Sequence, residues 1–192
     1  MFTDPEYYDQ HFNGLQAQSQ DLGHKQFSCC TFSKCDFTGA QFSDSLLTAC
    51  VFEDCKLSLV SFPGCKLQDV TFRNCKIAGV NFAEANPFLL DIEFNKCVIS
   101  ESNFAGMNLQ NGSFLQCKIT ECDFVESDLS GSDFSGADLS GTLFHNTKLN
   151  DACLLNVKGL SLNPLTNKIK HVRMSMSDAL NLVKYLDVII EE

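Results

Sequence analysis

The chain has 192 residues, with 24 acidic and 14 basic side chains, and therefore a formal net charge of −10. This length suits one compact domain or a short repeat array. The negative charge disfavours nucleic acid and anionic membrane surfaces as direct partners. Because the sequence has neither an apolar stretch of membrane-spanning length nor the plan of a signal peptide, we expect a cytosolic protein.

Large apolar residues recur every five positions, in one run from Leu22 to Phe82 and in a second from Phe94 to Leu154. This period fits neither an α-helix, at 3.6 residues per turn, nor a strand, at two. The position two before each large residue is nearly always Cys, Ser, Ala or Val. One large and one small inward residue in every five indicate a chain that turns a corner with each five-residue word. The remaining positions are rich in Ser, Gly, Asn and Asp, which suit turns.

A step of two extra residues interrupts the period between the two runs, because Phe82 and Phe94 are twelve residues apart. Placing the insertion at Ala85 and Asn86 puts Leu89 in phase with the other large residues. The alternation of Phe with Leu or Ile then continues across the step. We therefore expect Leu89 in the core.

Words such as "ADLSG", "CDFTG" and "SDFSG" have the form small, Asp or Asn, Leu or Phe, and two variable residues. Residues 20–156 thereby resemble the pentapeptide repeat family. The resemblance implies an all-β fold, a right-handed quadrilateral parallel β-helix with four words in each 20-residue coil and about seven coils. We expect an N-terminal cap over 1–19, the β-helix over 20–157, and a C-terminal cap and dimerisation segment over 158–192.

The four-sided coil predicts that residues on one wall recur every 20 positions, or 22 across the step. Two opposite columns then consist almost entirely of phenylalanine, whereas the other two are mainly Leu and Ile. One of the phenylalanine columns comprises Phe42, Phe62, Phe82, Phe104, Phe124 and Phe144. Stacked side chains are therefore expected to fill the interior.

Nine of the eleven cysteines occupy the small inward position, and five of them form one column. Neighbours in a column lie about 4.8 Å apart, but parallel strands point them the same way, which disfavours the torsion of a disulfide. Their spacing also differs from that of close zinc ligand pairs. We predict reduced, buried cysteines, no metal and no cofactor. The column comprises Cys35, Cys55, Cys75, Cys97 and Cys117.

The sequence shows no arrangement of groups that predicts catalysis. Its four histidines are scattered, and it lacks a phosphate-binding Gly-rich loop, an HExxH motif and a GxSxG motif. We predict a non-enzymatic protein.

One wall differs from the others in its charge. It comprises residues 20–24, 40–44, 60–64, 80–84, 102–106, 122–126 and 142–146, and is called the acidic wall below. It contains no Lys or Arg, whereas each other wall carries three basic residues. The pattern predicts either a surface that docks on a basic groove or a charge that only keeps the protein soluble. The acidic side chains are Asp21, Asp44, Glu84, Asp123 and Glu126.

After Val157 the five-residue period ends and the composition changes. The stretch "KIKHVRM" alternates like a short strand, Ser177 is a plausible helix N-cap, and "DVIIEE" is expected to close as a strand. Because the end of a solenoid exposes strand edges, the simplest role of this segment is to cap them.

The stretch "VRMSMSDALNLVKYLDVII" is similar to the ends of the Qnr, MfpA and McbG proteins, the topoisomerase-protecting branch of the family. This resemblance implies a homodimer whose rod resembles B-DNA and binds DNA gyrase or topoisomerase IV. It also implies that "YYDQHFNGL" caps the first coil, with Phe12 and Leu15 entering the core. The implied dimer residues are Leu180, Val183, Tyr185, Leu186, Val188 and Ile189.

Two hypotheses about function follow. The first is a DNA-mimicking rod that binds a type II topoisomerase through the acidic wall and protects it from a quinolone or an endogenous toxin, or modulates its response. The alternative is an interaction scaffold or regulator with an unrelated protein partner. The projecting loops of many Qnr proteins are absent here, so the plan is closer to that of MfpA or McbG.

Overall fold

The structure, a computed structural model, describes residues 2–188. They form a parallel β-solenoid of about eight turns that ends in one short helix. Each residue stands beside the residue four words further along the chain, as in the pairs Leu47↔Leu67 and Phe52↔Phe72. The predicted quadrilateral parallel β-helix is confirmed, with about eight turns in place of about seven.

The strands are short because the chain bends at every corner of the coil. The strands are β1 (Glu6–Tyr8), β2 (His11–Asn13), β3 (Gln26–Ser28), β4 (Thr31–Ser33), β5 (Leu46–Glu53), β6 (Lys56–Ser58), β7 (Lys66–Arg73), β8 (Lys76–Ala78), β9 (Ile92–Asn95), β10 (Val98–Ser100), β11 (Phe114–Leu115), β12 (Lys118–Thr120), β13 (Cys153–Leu154) and β14 (Arg173–Met174). The largest sheet contains β1, β3, β5, β7, β9 and β11, paired in that order, with β2 and β4 joining it. A second ladder consists of β6, β8, β10 and β12. β13 pairs with β14.

The corners require left-handed backbone two residues after nearly every large inward residue. Gly, Asn and Asp hold many of these positions, since they tolerate positive φ best. Less suitable residues occur too, including Leu59 at φ +55° and Lys34 at φ +54°. Glycine suits position 64 for two reasons: its φ is +66°, and a Cβ there would force the Asp44 carboxylate to move.

Stacked phenylalanine rings fill the interior as predicted. Within one column the rings of Phe104 and Phe124 are nearly parallel, with centroids 4.8 Å apart. Rings from different columns meet edge to face, as Phe104 and Phe114 do at 89°. Edge-to-face and offset stacked contacts are both favourable for aromatic rings, so each ring stabilises its neighbours above and beside it.

The cysteines are free, and ten of the eleven are buried. In the predicted column each thiol contacts backbone carbonyls; Cys75 Sγ, for example, donates to Phe52 O over 3.3 Å. Hydrogen bonds to the neighbouring thiols, followed by burial, raise the pKa of Cys75. Cys29, outside the inward positions, is exposed. The prediction of reduced, buried packing residues is confirmed for the nine inward cysteines.

The predicted place of the two extra residues is wrong. Lys66 pairs with Asn86 at a spacing of 20, whereas Val70 pairs with Ile92 at a spacing of 22, so the insertion lies after Asn86. Leu89 is 64% exposed, with φ +54° at a corner. Leu90 packs against the core in its place.

Coil stacking begins before the periodic part of the sequence. Tyr7 pairs with Phe27 and Phe12 pairs with Phe32 in parallel register. Phe12 and Leu15 pack against the core, as expected from the resemblance. Phe2 covers this end of the core, with its ring edge to face against those of Tyr7 and Phe12.

Coil stacking also continues beyond Val157, where Lys168 pairs with Lys148 and β14 pairs with β13. The helix α1 (Met176–Val183) follows, and its N-cap is Ser175, whose side chain accepts a hydrogen bond from Asp178 N–H. The prediction of Ser177 as N-cap is wrong, since Ser175 stands three residues before Asp178, the spacing of a capping box. The predicted closing strand lies largely outside the described residues.

No helix within residues 2–188 has the length and apolar character needed to span a bilayer.

Candidate interaction surface

The acidic wall is a continuous stack of coils. Parallel bridges link its central column coil by coil. This register fixes the height of each side chain along the wall, at about 4.8 Å per coil. The column comprises Asp21, Gln41, Ser61, Asn81, Asn103, Asp123 and Leu143.

The five predicted carboxylates lie on this wall in two lines. Asp21 and Asp123 belong to the central column, where each accepts a hydrogen bond from the backbone N–H two residues on, at 2.9 Å and 2.8 Å. Asp44, Glu84 and Glu126 lie along its edge, at the corner that follows the phenylalanine column. Asp123 is half-buried, and the other four are exposed.

Along that corner, acids alternate with Gly64 and Gly106, so the carboxylates recur every second coil, at about 10 Å. Glu84 departs from the regular corner because a short 3-10 turn, Phe82–Glu84, replaces it. The Glu84 carboxylate accepts a hydrogen bond from Asn81 Nδ2 over 2.8 Å. The spacing of the acidic side chains is therefore regular, but much wider than that of DNA phosphates, which place one charge per about 1.7 Å.

The charge of the acidic wall is not neutralised by neighbouring side chains. The ion pairs among residues 2–188 lie elsewhere: Lys56 with Asp36 at 3.5 Å, Lys148 with Asp128 at 2.9 Å, and His171 with Asp151 at 3.2 Å. Carboxylates free of ion pairs remain available to a basic partner.

The predicted dimer residues lie in α1 and in the segment that follows it. Leu180, Leu186 and Val188 are exposed, at 52%, 47% and 55%. Val183 and Tyr185 are half-buried, and a hydrogen bond with Ser161 lowers the pKa of Tyr185. Ile189 lies outside the described residues. The exposed leucines and Val188, with Met176 at 79% exposed, leave an apolar surface at this end of the rod.

Two surface features were missed in the sequence. Phe88 and Leu89 project from the inserted segment, at 65% and 64% exposed. A groove also lies where the acidic wall meets the C-terminal segment, with Leu143, Phe144 and Tyr185 among its lining residues. Leu143 occupies a position that is polar in the other words of this wall. This apolar residue was the signal in the sequence that its coil differs from the others.

The fold and the repeat define a class of protein, the β-solenoids built from five-residue words. The family model described as a pentapeptide repeat region matches residues 25–87 and 88–163, so the chain belongs to the pentapeptide repeat family.

Solved structures of QnrB1, a plasmid-mediated fluoroquinolone resistance protein, are similar to this chain. One trypsin-treated form has a TM-score of 0.74 at 18% sequence identity, covering 97% of this chain and all of that one. A second trypsin-treated form has a TM-score of 0.74 at 19% identity, covering 96% and 99%. At these identities the likeness establishes a shared fold. No curated protein sequence matches the chain.

Proposed function

We propose that this protein is a non-enzymatic, cytosolic rod that binds a type II topoisomerase, DNA gyrase or topoisomerase IV, and protects it from a poison or modulates its response. The observation that carries the proposal is the acidic wall. Its five carboxylates stand in fixed register, without Lys or Arg on the same wall and without ion pairs. The similarity to QnrB1, a fluoroquinolone resistance protein, supports the same proposal.

The binding groove of a topoisomerase is complementary to DNA and therefore basic. A rigid rod with one negative wall can enter such a groove with little loss of backbone conformational entropy, since its backbone is already ordered. The wide spacing of its charges makes the mimicry of DNA partial, so the rod would compete with DNA at low ionic strength and lose affinity as salt rises.

Gyrase supercoiling, with the purified protein titrated in and with or without a quinolone, tests the proposal. We expect inhibition at high protein concentration, or rescue from the drug at low concentration. The triple variant Asp44→Asn, Glu84→Gln, Glu126→Gln should lose most of either effect.

The matched control removes the same number of charges from other walls: Asp69→Asn, Glu101→Gln and Glu121→Gln. It should behave like wild type if the acidic wall is the contact surface. If both triple variants lose the inhibition or the rescue equally, the effect depends on net charge and not on the acidic wall. No effect of the wild-type protein on gyrase, with or without the quinolone, would favour a scaffold with an unrelated partner.

We further propose a homodimer that covers the apolar surface around α1. The exposed side chains of Leu180, Leu186 and Val188 would be buried between two copies. Leu186→Asp should then lower the molecular mass measured by light scattering from that of a dimer to that of a monomer. A wild-type mass of 21.3 kDa in solution would refute the dimer.

A further inference from the structure

The ladder of the acidic wall ends one coil before those of two other walls. On those walls, Lys148 pairs with Lys168 and Cys153 pairs with Arg173. On the acidic wall the last bridge joins Asp123 to Leu143, and none continues from Leu143 to a later residue up to 188. The sheet edge at Leu143 is therefore open.

The open edge presents one backbone acceptor and one backbone donor. One coil earlier, Cys122 O accepts from Leu143 N–H at 2.9 Å, and Phe124 N–H donates to Leu143 O at 3.0 Å. The equivalent groups in the next coil are Thr142 O and Phe144 N–H. Neither has a backbone partner anywhere in the described chain.

The edge is open because the chain leaves the regular path of the coil after Lys158, which still pairs with Asp138. It returns out of step with the regular coil. One coil earlier, Glu126 N–H donates to His145 O, so the regular acceptor for Asn146 N–H would be Leu165 O. Asn146 N–H donates instead to Thr166 O, the next residue along the chain. The detour leaves a groove of about 590 Å³ between the edge and the C-terminal segment.

The groove has an apolar floor and a hydroxyl-rich far side. Val125, Leu143 and Phe144 provide the apolar surface, and Ser161, Thr166 and Tyr185 lie among its polar lining. Leu143 is 59% exposed, and Phe144 is 7% exposed, whereas Phe104 and Phe124 in the same column are fully buried.

We propose that this edge accepts an extended peptide of a partner protein as an additional parallel strand. The peptide residue aligned with Leu143 donates its N–H to Thr142 O and accepts from Phe144 N–H, repeating the bonds of the coil before it. The next peptide residue points inward, so that a large apolar side chain covers Phe144. Main-chain hydrogen bonds supply affinity in this mode of recognition, and alternate side chains supply specificity.

Charge selects the partner peptide. Asp123 and Glu126 lie one coil from Leu143, on a wall without Lys or Arg, so basic residues flanking the apolar position are favoured. The proposal goes beyond topoisomerase binding and does not depend on it.

Amide hydrogen exchange at single-residue resolution provides the first test. In the free, full-length chain we expect fast exchange at the Phe144 amide and slow exchange at the amides of Phe124 and Leu143, which are bonded within the ladder. A Phe144 amide that is already protected in the free chain overturns the proposal, because the edge would then be filled by the chain's own tail or by a second copy.

The second test is to pan a library of random ten-residue peptides on the wild-type protein at low salt. Selected peptides should carry an apolar residue between basic ones, protect the Phe144 amide, and bind Leu143→Lys or Tyr185→Ala at least tenfold more weakly. Leu59→Lys, at a position 67% exposed on another wall, is the matched control and should leave affinity unchanged. Failure to select any peptide, or equal binding to Leu143→Lys and wild type, overturns the proposal.

Discussion

Replacing Phe104 by alanine probes the stacked core at its centre. The Phe104 side chain is fully buried. Its ring lies 4.9 Å from that of Phe82 below and 4.8 Å from that of Phe124 above, centroid to centroid. Its edges also meet Phe94 at 5.8 Å and Phe114 at 6.3 Å. The substitution therefore removes four aromatic contacts at once.

The expected loss of stability in Phe104→Ala follows from the burial and the packing of the phenylalanine ring. Removing a buried phenylalanine forfeits about 1.5–3 kcal/mol of burial, and an aromatic pair adds about 0.5–1.5 kcal/mol. The rigid backbone ladders above and below cannot collapse into the space, so the cavity persists. Together these terms predict a decrease of about 3–5 kcal/mol in the free energy of unfolding.

Urea unfolding followed by far-ultraviolet circular dichroism measures this loss, at a fixed protein concentration because self-association would shift the midpoint. Phe88→Ala is the matched control, since it makes the same chemical change at a side chain that is 65% exposed. It should change stability by less than about 0.5 kcal/mol. A loss for Phe104→Ala below about 1 kcal/mol, or equal to that of the control, would refute the stacking argument.

Three further outcomes are expected. In the native protein one thiol per chain, that of Cys29, should react rapidly with an aromatic disulfide reagent, and the other ten only after unfolding; several fast thiols would contradict the described burial. Burial raises the pKa of Cys50 and Cys65 from 9.0 to about 12, so the stability that these protonated thiols contribute is fully present below pH 9 and is lost as pH rises from 9 to 12. The slope is about 1.4 kcal/mol per pH unit per thiol, and Cys65→Ala should flatten it in urea titrations between pH 8.5 and 10.5. Leu59→Asn should raise stability by about 0.5–1 kcal/mol, because asparagine tolerates the left-handed backbone at this exposed corner; an unchanged or lower melting temperature would count against that.

The solenoid was predictable because its five-residue period appears directly in the sequence, as a regular recurrence of large apolar side chains. Every inward position of a coil has the same environment as the equivalent position of the next coil, so the alternation of large and small residues repeats with little variation. The same regularity identified the cysteine column as packing residues. It also placed Asp21 and Asp123 in one column, which the backbone bridges reproduce.

The insertion was misplaced because the five-residue period does not determine a unique position for it. A twelve-residue gap shows that two residues are extra but not which two. Ala85 and Asn86 fit the small and Asn positions of a regular word, with Pro87 in the apolar position and Leu89 at its corner. Pro87 itself is exposed, and Leu90 packs against the core instead.

The open edge beside Leu143 could not be predicted, because it depends on backbone pairing and not on side chains. Residues 158–174 continue the other three walls of the solenoid but not the acidic wall. Their sequence has lost the five-residue period that would reveal this difference. The acidic wall itself could be read from the sequence, but its binding role stays a prediction.

Because four words make one coil in fixed register, the length of the rod can change only in steps of whole coils. Because each coil contacts only its neighbours, deletion of four consecutive words from the regular part would restore every column in register and shorten the rod by about 4.8 Å. A deletion that is not a multiple of four words would rotate the acidic wall away from its continuation. The number of coils can therefore be adjusted to a partner's dimensions without redesigning the core.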